Sequence, residues 1–187
     1  GSSWHQQTKL IITNGEDYDY FGKSVSIDGD YAIVGARGGK NNGIATGLAY
    51  IYKRLGSNWS QQAILSADDG EEYDHFGESI SISGDYAIVG AVSDDDTGSA
   101  YIFKRDGSTW SQLIKLTASD GAKNDHFGIS VSMTDDFAIV GAYRDGEYGL
   151  FEQGAAYIFK RLGSDWVEHA KLHNVSGRSG EHFGRSV

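Results

Sequence analysis

From Phe76 to Ile82 the side chains alternate. Phe76, Glu78, Ile80 and Ile82 fall on one side, and Gly77, Ser79 and Ser81 on the other. A period of two predicts a half-buried strand, here with a small second face suited to a crowded inner position. Ser83-Gly84 then forms a tight hairpin, as Asp28-Gly29 does earlier. In a third copy Asp135 takes the glycine slot, where a left-handed Asp is expected to preserve the turn. Tyr86–Ala91 is a continuous apolar run, as in a strand covered on both faces. Ser99–Arg105 and Trp110–Leu116 supply a third and a fourth strand, rich in aromatic and β-branched residues and joined by the turn DGST.

This pattern recurs. Phe21-Gly22, Phe76-Gly77, Phe127-Gly128 and Phe183-Gly184 open successive copies at spacings of 55, 51 and 56 residues. Trp4, Trp59, Trp110 and Trp166 keep the same register. Four short antiparallel strands per unit at this period, without a helix, predict an all-β propeller of four-stranded blades. A β-sandwich is the rival, but it does not call for near-identical units. The chain divides into units 1–55, 56–106 and 107–162 with a partial unit at 163–187. It opens on a fourth strand (Trp4–Leu10) and stops inside a first strand (Phe183–Val187), giving fourteen expected strands. Three complete blades cannot close a ring, and their open ends would expose apolar edges. The chain is therefore expected to be an excerpt of a seven-bladed ring or to associate with further copies. The excerpt is the favoured reading, because the end strands do not combine cleanly between two copies.

Composition narrows the partners. A net charge of −10 argues against nucleic acid and against adhesion to anionic lipid, both of which need basic surfaces. No cysteine is present, which removes disulfides, thiolate metal sites and a cysteine nucleophile. No apolar run approaches the length of a membrane helix, so membrane insertion is not expected. No signal peptide is read at the start.

The elements FGxSVSI, YAIVGA and GxAYIFKR resemble the FG-GAP repeats of integrin α-chain propellers, and still more those of bacterial and marine repeat proteins. The resemblance covers essentially the whole chain. It implies an extracellular or cell-surface binding module, with adhesion as the usual role. Two features depart from it. Gly35-Ala36, Gly90-Ala91 and Gly141-Ala142 lack the proline of the GAP element. The calcium loop often found between strands 1 and 2 is reduced to Asp28-Gly29-Asp30, Ser83-Gly84-Asp85 or Asp135-Asp136. These turns are too short to supply six or more oxygens, so that calcium site does not carry over.

The loops joining strands 2–3 and 4–1 share one face and hold the length variation, so ligand binding is expected there. Candidates for ligand contact are Tyr143, Arg144, Glu147, Tyr148 and Phe151 in the longest 2–3 loop, together with Asp94, Asp95 and Asp96. Carboxylates at Asp69, Asp74, Asp120 and Asp125 invite a hard cation such as calcium, although no loop has EF-hand spacing. Their alternative is a solvated acidic rim. The acid two residues before each Phe (Asp19, Asp74, Asp125, Glu181) is read as fixing its loop through backbone N–H groups. His75, His126 and His182 recur beside it, which suggests packing. The tryptophans are assigned to inter-blade packing, and the Lys-Arg pairs ending each third strand to solvent.

No catalytic motif stands out among G-x-S-x-G, P-loop and HExxH patterns. The expected function is a non-enzymatic binding module with a protein or glycan ligand. A lectin of the same fold and a structural module assembling through open blade edges are the alternatives.

Overall fold

The computed structural model describes residues 3–146, 153–174 and 180–187. Three four-stranded antiparallel sheets, each a simple meander, make up the fold. The first blade contains β1 (Phe21–Asp28), β2 (Tyr31–Ala36), β3 (Leu48–Leu55) and β4 (Asn58–Leu65). The second contains β5 (Phe76–Ser83), β6 (Tyr86–Ala91), β7 (Ser99–Asp106) and β8 (Thr109–Leu116). The third contains β9 (Phe127–Met133), β10 (Phe137–Ala142), β11 (Ala155–Leu162) and β12 (Asp165–His173). Each sequence unit thus spans a joint, giving the fourth strand of one blade and the first three of the next. The first strands β1, β5 and β9 pack side by side, whereas β4, β8 and β12 splay apart. This is the blade arrangement of a propeller, with the first strands innermost. Among the described residues no helix is long and apolar enough to cross a membrane.

The small face read from the serines is what lets the inner strands crowd. Ser26 Oγ accepts the Ile82 N–H at 3.3 Å, and Ser81 Oγ accepts the Met133 N–H at 3.2 Å, stitching neighbouring blades. A bulge after each Phe, where Phe76 pairs with Ala91 and Ser79 with Gly90, turns the intervening Gly77 toward the preceding blade. There the Gly77 carbonyl accepts the Ser24 hydroxyl at 2.9 Å. The Gly128 and Gly184 carbonyls accept Ser79 and Ser130 at 2.8 Å in the same way. A Cβ on Gly35, Gly90 or Gly141 would run into the carbonyl of the facing glycine, which accounts for the Gly-Ala element.

Each joint is filled from both sides. Ile33, Ile51 and Leu65 of the first blade meet Phe76, Val89, Tyr101 and Phe103 of the second. Ile88, Ile102 and Leu116 meet Phe127, Val140, Tyr157 and Phe159 in the next joint. Trp110 packs edge-on against Tyr31 with centroids 6.3 Å apart, and Trp166 against Tyr86 at 6.1 Å, as expected, whereas Trp4 is 100% exposed and packs in no joint.

Three expectations are corrected. First, the described residues form twelve strands, not fourteen. Trp4–Leu10 and Phe183–Val187 form no strand, because the third and second strands they would pair with are not in this sequence. Leu10 and Ile12 instead pack, as Phe21 and Trp59 do, against the first-blade core of Val34, Leu48, Tyr50 and Tyr52. Phe183 is held by one parallel bridge to Gly154. Second, Asp135 is not left-handed. Its turn survives because Thr134 N–H donates to the Phe137 carbonyl at 2.8 Å and Thr134 Oγ accepts the Phe137 N–H at 3.2 Å. Third, the strand-end arginines are not simply solvated. Arg54, Arg105 and Arg161 pair with Asp30, Asp85 and Asp136 of the 1–2 turns. Arg105 and Arg161 also lie over Tyr31 and Tyr86 of the preceding blade, at 4.4 and 5.1 Å.

Candidate functional site

The recurrent acid shapes the loop before each first strand. Asp19, Asp74 and Asp125 are buried, and each accepts the backbone N–H three residues earlier: Glu16 at 2.7 Å, Glu71 at 2.6 Å and Ala122 at 2.6 Å. Their backbone carbonyls accept the Gly38, Ser93 and Arg144 N–H groups of the 2–3 loops. Burial, reinforced by neighbouring carboxylates, raises Asp74 and Asp125 above the ordinary aspartate value even though the N–H bonds act in the opposite sense. In the fourth copy Glu181 accepts from Asn174 at 2.8 Å.

So held, the backbone takes left-handed turns at bulky residues. Tyr18 and Tyr73 both have φ of 72°, and Tyr20, His75, His126 and His182 have φ of 54°, 60°, 58° and 55°. Such conformations cost roughly 1–2 kcal/mol each for a residue with a Cβ. They turn aromatic side chains out onto the 2–3/4–1 face.

At the joint of the first two blades this creates a cleft of about 400 Å³ lined by Asp17, Tyr18, Tyr20, Arg37, Lys40, Tyr73 and His75. Tyr18, Tyr20 and Tyr73 are exposed there. The Arg37 guanidinium lies 4.8 Å from the Tyr20 ring centroid. It is anchored by the buried side chain of Glu78, which bridges Arg37 at 3.1 Å and Lys23 at 2.8 Å. Burial, and then the Arg37 charge, push the His75 imidazole below its usual value, favouring the neutral ring. Its Nδ1 lies 3.1 Å from Ser93 Oγ. The sequence reading did not single out Tyr18, Tyr20, Tyr73 or Arg37. The available signal was the recurrence of a tyrosine directly before Asp19 and Asp74.

The expected ligand residues are divided by the fold. Tyr143 sits between two histidines, with ring centroids 5.2 Å from His126 and 5.3 Å from His182. The Arg144 and Arg185 guanidiniums each lie 5.4 Å from the Tyr143 ring. Glu147, Tyr148 and Phe151 lie outside the described residues. Asp94, Asp95 and Asp96 form one 3-10 turn, not a shared patch. Asp96 pairs with Lys123 at 2.8 Å, while Asp94 and Asp95 turn to Lys115.

Around Lys115 the acids find a cation supplied by the chain itself. Its ammonium lies 2.8 Å from Asp69, 2.7 Å from Asp94 and 2.8 Å from Asp95. The Tyr101 hydroxyl contacts the same Asp69 and Asp94 carboxylates at 2.9 and 3.0 Å. Burial alone would lower Lys115 and raise Asp69. The hydrogen bonds between them outweigh it, raising Lys115 and lowering Asp69. Burial, then the Asp94 charge, raise Tyr101 far above the phenol range. The third blade repeats the arrangement. Lys171 lies 2.7 Å from Asp120 and 3.0 Å from Asp145, and the Tyr157 hydroxyl donates to both acids at 2.8 and 2.6 Å. Asp69 and Asp120 are thus locked to lysine, and Asp74 and Asp125 to backbone N–H groups. Among the described residues no group of three or more His, Asp or Glu side chains is placed to hold a metal ion.

Compared with known families, the sequence matches the one described as FG-GAP repeat over residues 4–52, 59–103 and 110–159. No curated protein matches the chain in a sequence comparison.

Proposed function

Because the chain belongs to the FG-GAP repeat family, we propose that it is a non-enzymatic, extracellular or cell-surface binding module whose ligand sits on the 2–3/4–1 loop face. The cleft between the first two blades carries this reading. It joins three exposed tyrosines to an oriented arginine on a rigid scaffold. Tyrosine and arginine at a concave, preorganised site are the residue types that anchor protein interfaces. The lysine-locked carboxylates support a non-catalytic role, since each is committed to a structural partner. The proposed ligand is a protein, with adhesion as the role. The acidic surface disfavours nucleic acid.

Tyrosine rings also stack on sugars, which favours a carbohydrate ligand as the second reading. Binding of the purified chain to a panel of extracellular-matrix proteins and to a glycan array, beside the Tyr18→Ala/Tyr73→Ala variant, separates the two. A matrix-protein signal lost in the variant supports the first reading, and a glycan signal lost in the variant supports the second. Signals that survive in the variant would remove the cleft from both.

The uncovered end faces favour an assembly role beside binding. Phe137, Ile139 and Ile158 line an apolar hollow of about 300 Å³ on the third blade. Their counterparts Tyr86, Ile88 and Ile102 are buried under a following blade. We propose that a further blade of the same kind covers this hollow. Molar mass by light scattering tests its source. A mass near twice 20.3 kDa means that another copy supplies it, and a mass near 20.3 kDa means that copies do not.

A further inference from the structure

The first blade lacks the lysine lock that the other two share. The strand register makes the comparison direct, because Tyr101 pairs with Lys115 and Tyr157 with Lys171, whereas Tyr50 pairs with Ile64. The second and third blades place Asp94 and Asp145 three residues after the second strand, where the first blade has Gly39. The three positions are equivalent in backbone bonding. Gly98, Gly154 and Gly47 N–H donate to the Asp94, Asp145 and Gly39 carbonyls at 2.8, 2.9 and 2.9 Å. Asp69 and Asp120 correspond to Asn14. Cation and both carboxylates are therefore absent together, and the tyrosine alone remains.

In their place is a pocket of about 300 Å³ lined by Ile12, Thr13, Asn14, Tyr50, Gln61 and Ile64. Tyr50 is only 7% exposed. Its counterparts each donate to two carboxylates, whereas the Tyr50 hydroxyl makes no hydrogen bond among the described residues. The Tyr50 hydroxyl faces the pocket without a protein partner and is free to donate to an oxygen placed there. Thr13, Asn14 and Gln61 add neutral donors and acceptors, and Ile12 and Ile64 add an apolar patch. No cation lines the pocket to receive an anion. The Asp-to-Asn and Asp-to-Gly changes remove the groups that would hold a cation.

We propose that this pocket binds one neutral, hydroxyl-rich ring of pyranose size, with the Tyr50 hydroxyl donating to a ring substituent and Ile64 facing the ring's C–H side. The volume is at the lower end of small-molecule sites, about 300–1,000 Å³. The site is confined to the first blade and does not depend on the tyrosine cleft.

Saturation-transfer NMR and calorimetry with glucose, galactose and N-acetylglucosamine test it. At least one of these sugars is expected to bind the unmodified chain. Tyr50→Phe is expected to weaken binding about three- to tenfold, the worth of one neutral hydrogen bond. Ile64→Lys with Asn14→Asp rebuilds part of the lock inside the pocket and is expected to abolish binding while the fold is retained. Tyr18→Ala/Tyr73→Ala, in the separate cleft, is expected to leave it unchanged. Absence of binding by all three sugars would overturn the proposal. So would binding that persists with the pocket filled, or binding that disappears only when the cleft is altered.

Discussion

The Ser79 hydroxyl donates to the Gly128 carbonyl at 2.8 Å, tying the second blade to the third. Gly90 lies against the same carbonyl, with no room for a Cβ. Ser79→Ala leaves that carbonyl without its side-chain donor and is expected to cost about 1 kcal/mol. Gly90→Ala must push backbone apart and is expected to cost more, about 3 kcal/mol, at the upper end of overpacking. Urea unfolding of both variants checks the order. Equal losses would mean that the joint adjusts to a methyl group.

Ile27 and Ile82 occupy the same place in successive first strands, yet Ile27 is 66% exposed and Ile82 only 5%. Ile82→Ala is expected to cost about 2–5 kcal/mol, as a buried large-to-small change does. Ile27→Ala should stay within about 0.5 kcal/mol, as surface changes do. A large loss at Ile27 would show that its face is covered in solution, which denaturation at several protein concentrations would detect as a concentration-dependent midpoint.

Asp74 fixes the loop that presents Tyr73 and His75, accepting the Glu71 N–H at 2.6 Å. Asp74→Ala removes an N-cap-like acceptor and is expected to cost about 1 kcal/mol. The loop at 68–75 should also become the first site of proteolysis, read by mass spectrometry of the fragments. Because burial raises the native pKa of Asp74, the unfolded state binds fewer protons in the window above the ordinary value of 3.8. Its contribution to stability therefore falls as pH rises from there through the raised value. Asp74→Asn should remove that slope.

The blades were legible because their cause is periodic. Alternation from Phe76 to Ile82, the apolar run Tyr86–Ala91 and the paired Phe and Trp registers each reflect packing repeated in every unit. The recurrent Asp19, Asp74 and Asp125 were read correctly as loop-fixing groups for the same reason. What stayed hidden depends on contacts between units. Lys115 looks like any strand lysine until β8 brings it to Asp69 and Asp94, 46 and 21 residues away in sequence. Arg105 likewise reaches Tyr31 only across the joint. The cleft needed the left-handed φ at Tyr18 and Tyr73, which a tyrosine does not announce. The end strands failed for a different reason. Trp4–Leu10 has strand chemistry, but a strand also needs its neighbour.

Lys115 is the residue on which the second blade's acids depend. Its removal strands Asp94, whose side chain is only 4% exposed. Breaking one side of a buried ion pair costs about 3–5 kcal/mol, and the partial solvent contact of Lys115 puts Lys115→Ile near about 3 kcal/mol. The first blade shows the compensated state, with Ile64, Gly39 and Asn14 in the three positions. Lys115→Ile/Asp94→Gly/Asp69→Asn should therefore recover to within about 1 kcal/mol of the parent chain, with strong non-additivity between the sites. The pH dependence carries the same signature. The Asp69 pKa is depressed in the native state, so its contribution is present above the ordinary value of 3.8 and is lost as pH falls through the native value. The Lys115 pKa is raised, so its contribution is complete below 10.5 and is lost as pH rises through the native value. The triple variant should lack both edges. Urea midpoints measured from pH 2 to 11 for the parent, single and triple variants decide the matter. Additive losses with unchanged edges would mean that the lysine is a solvated bystander.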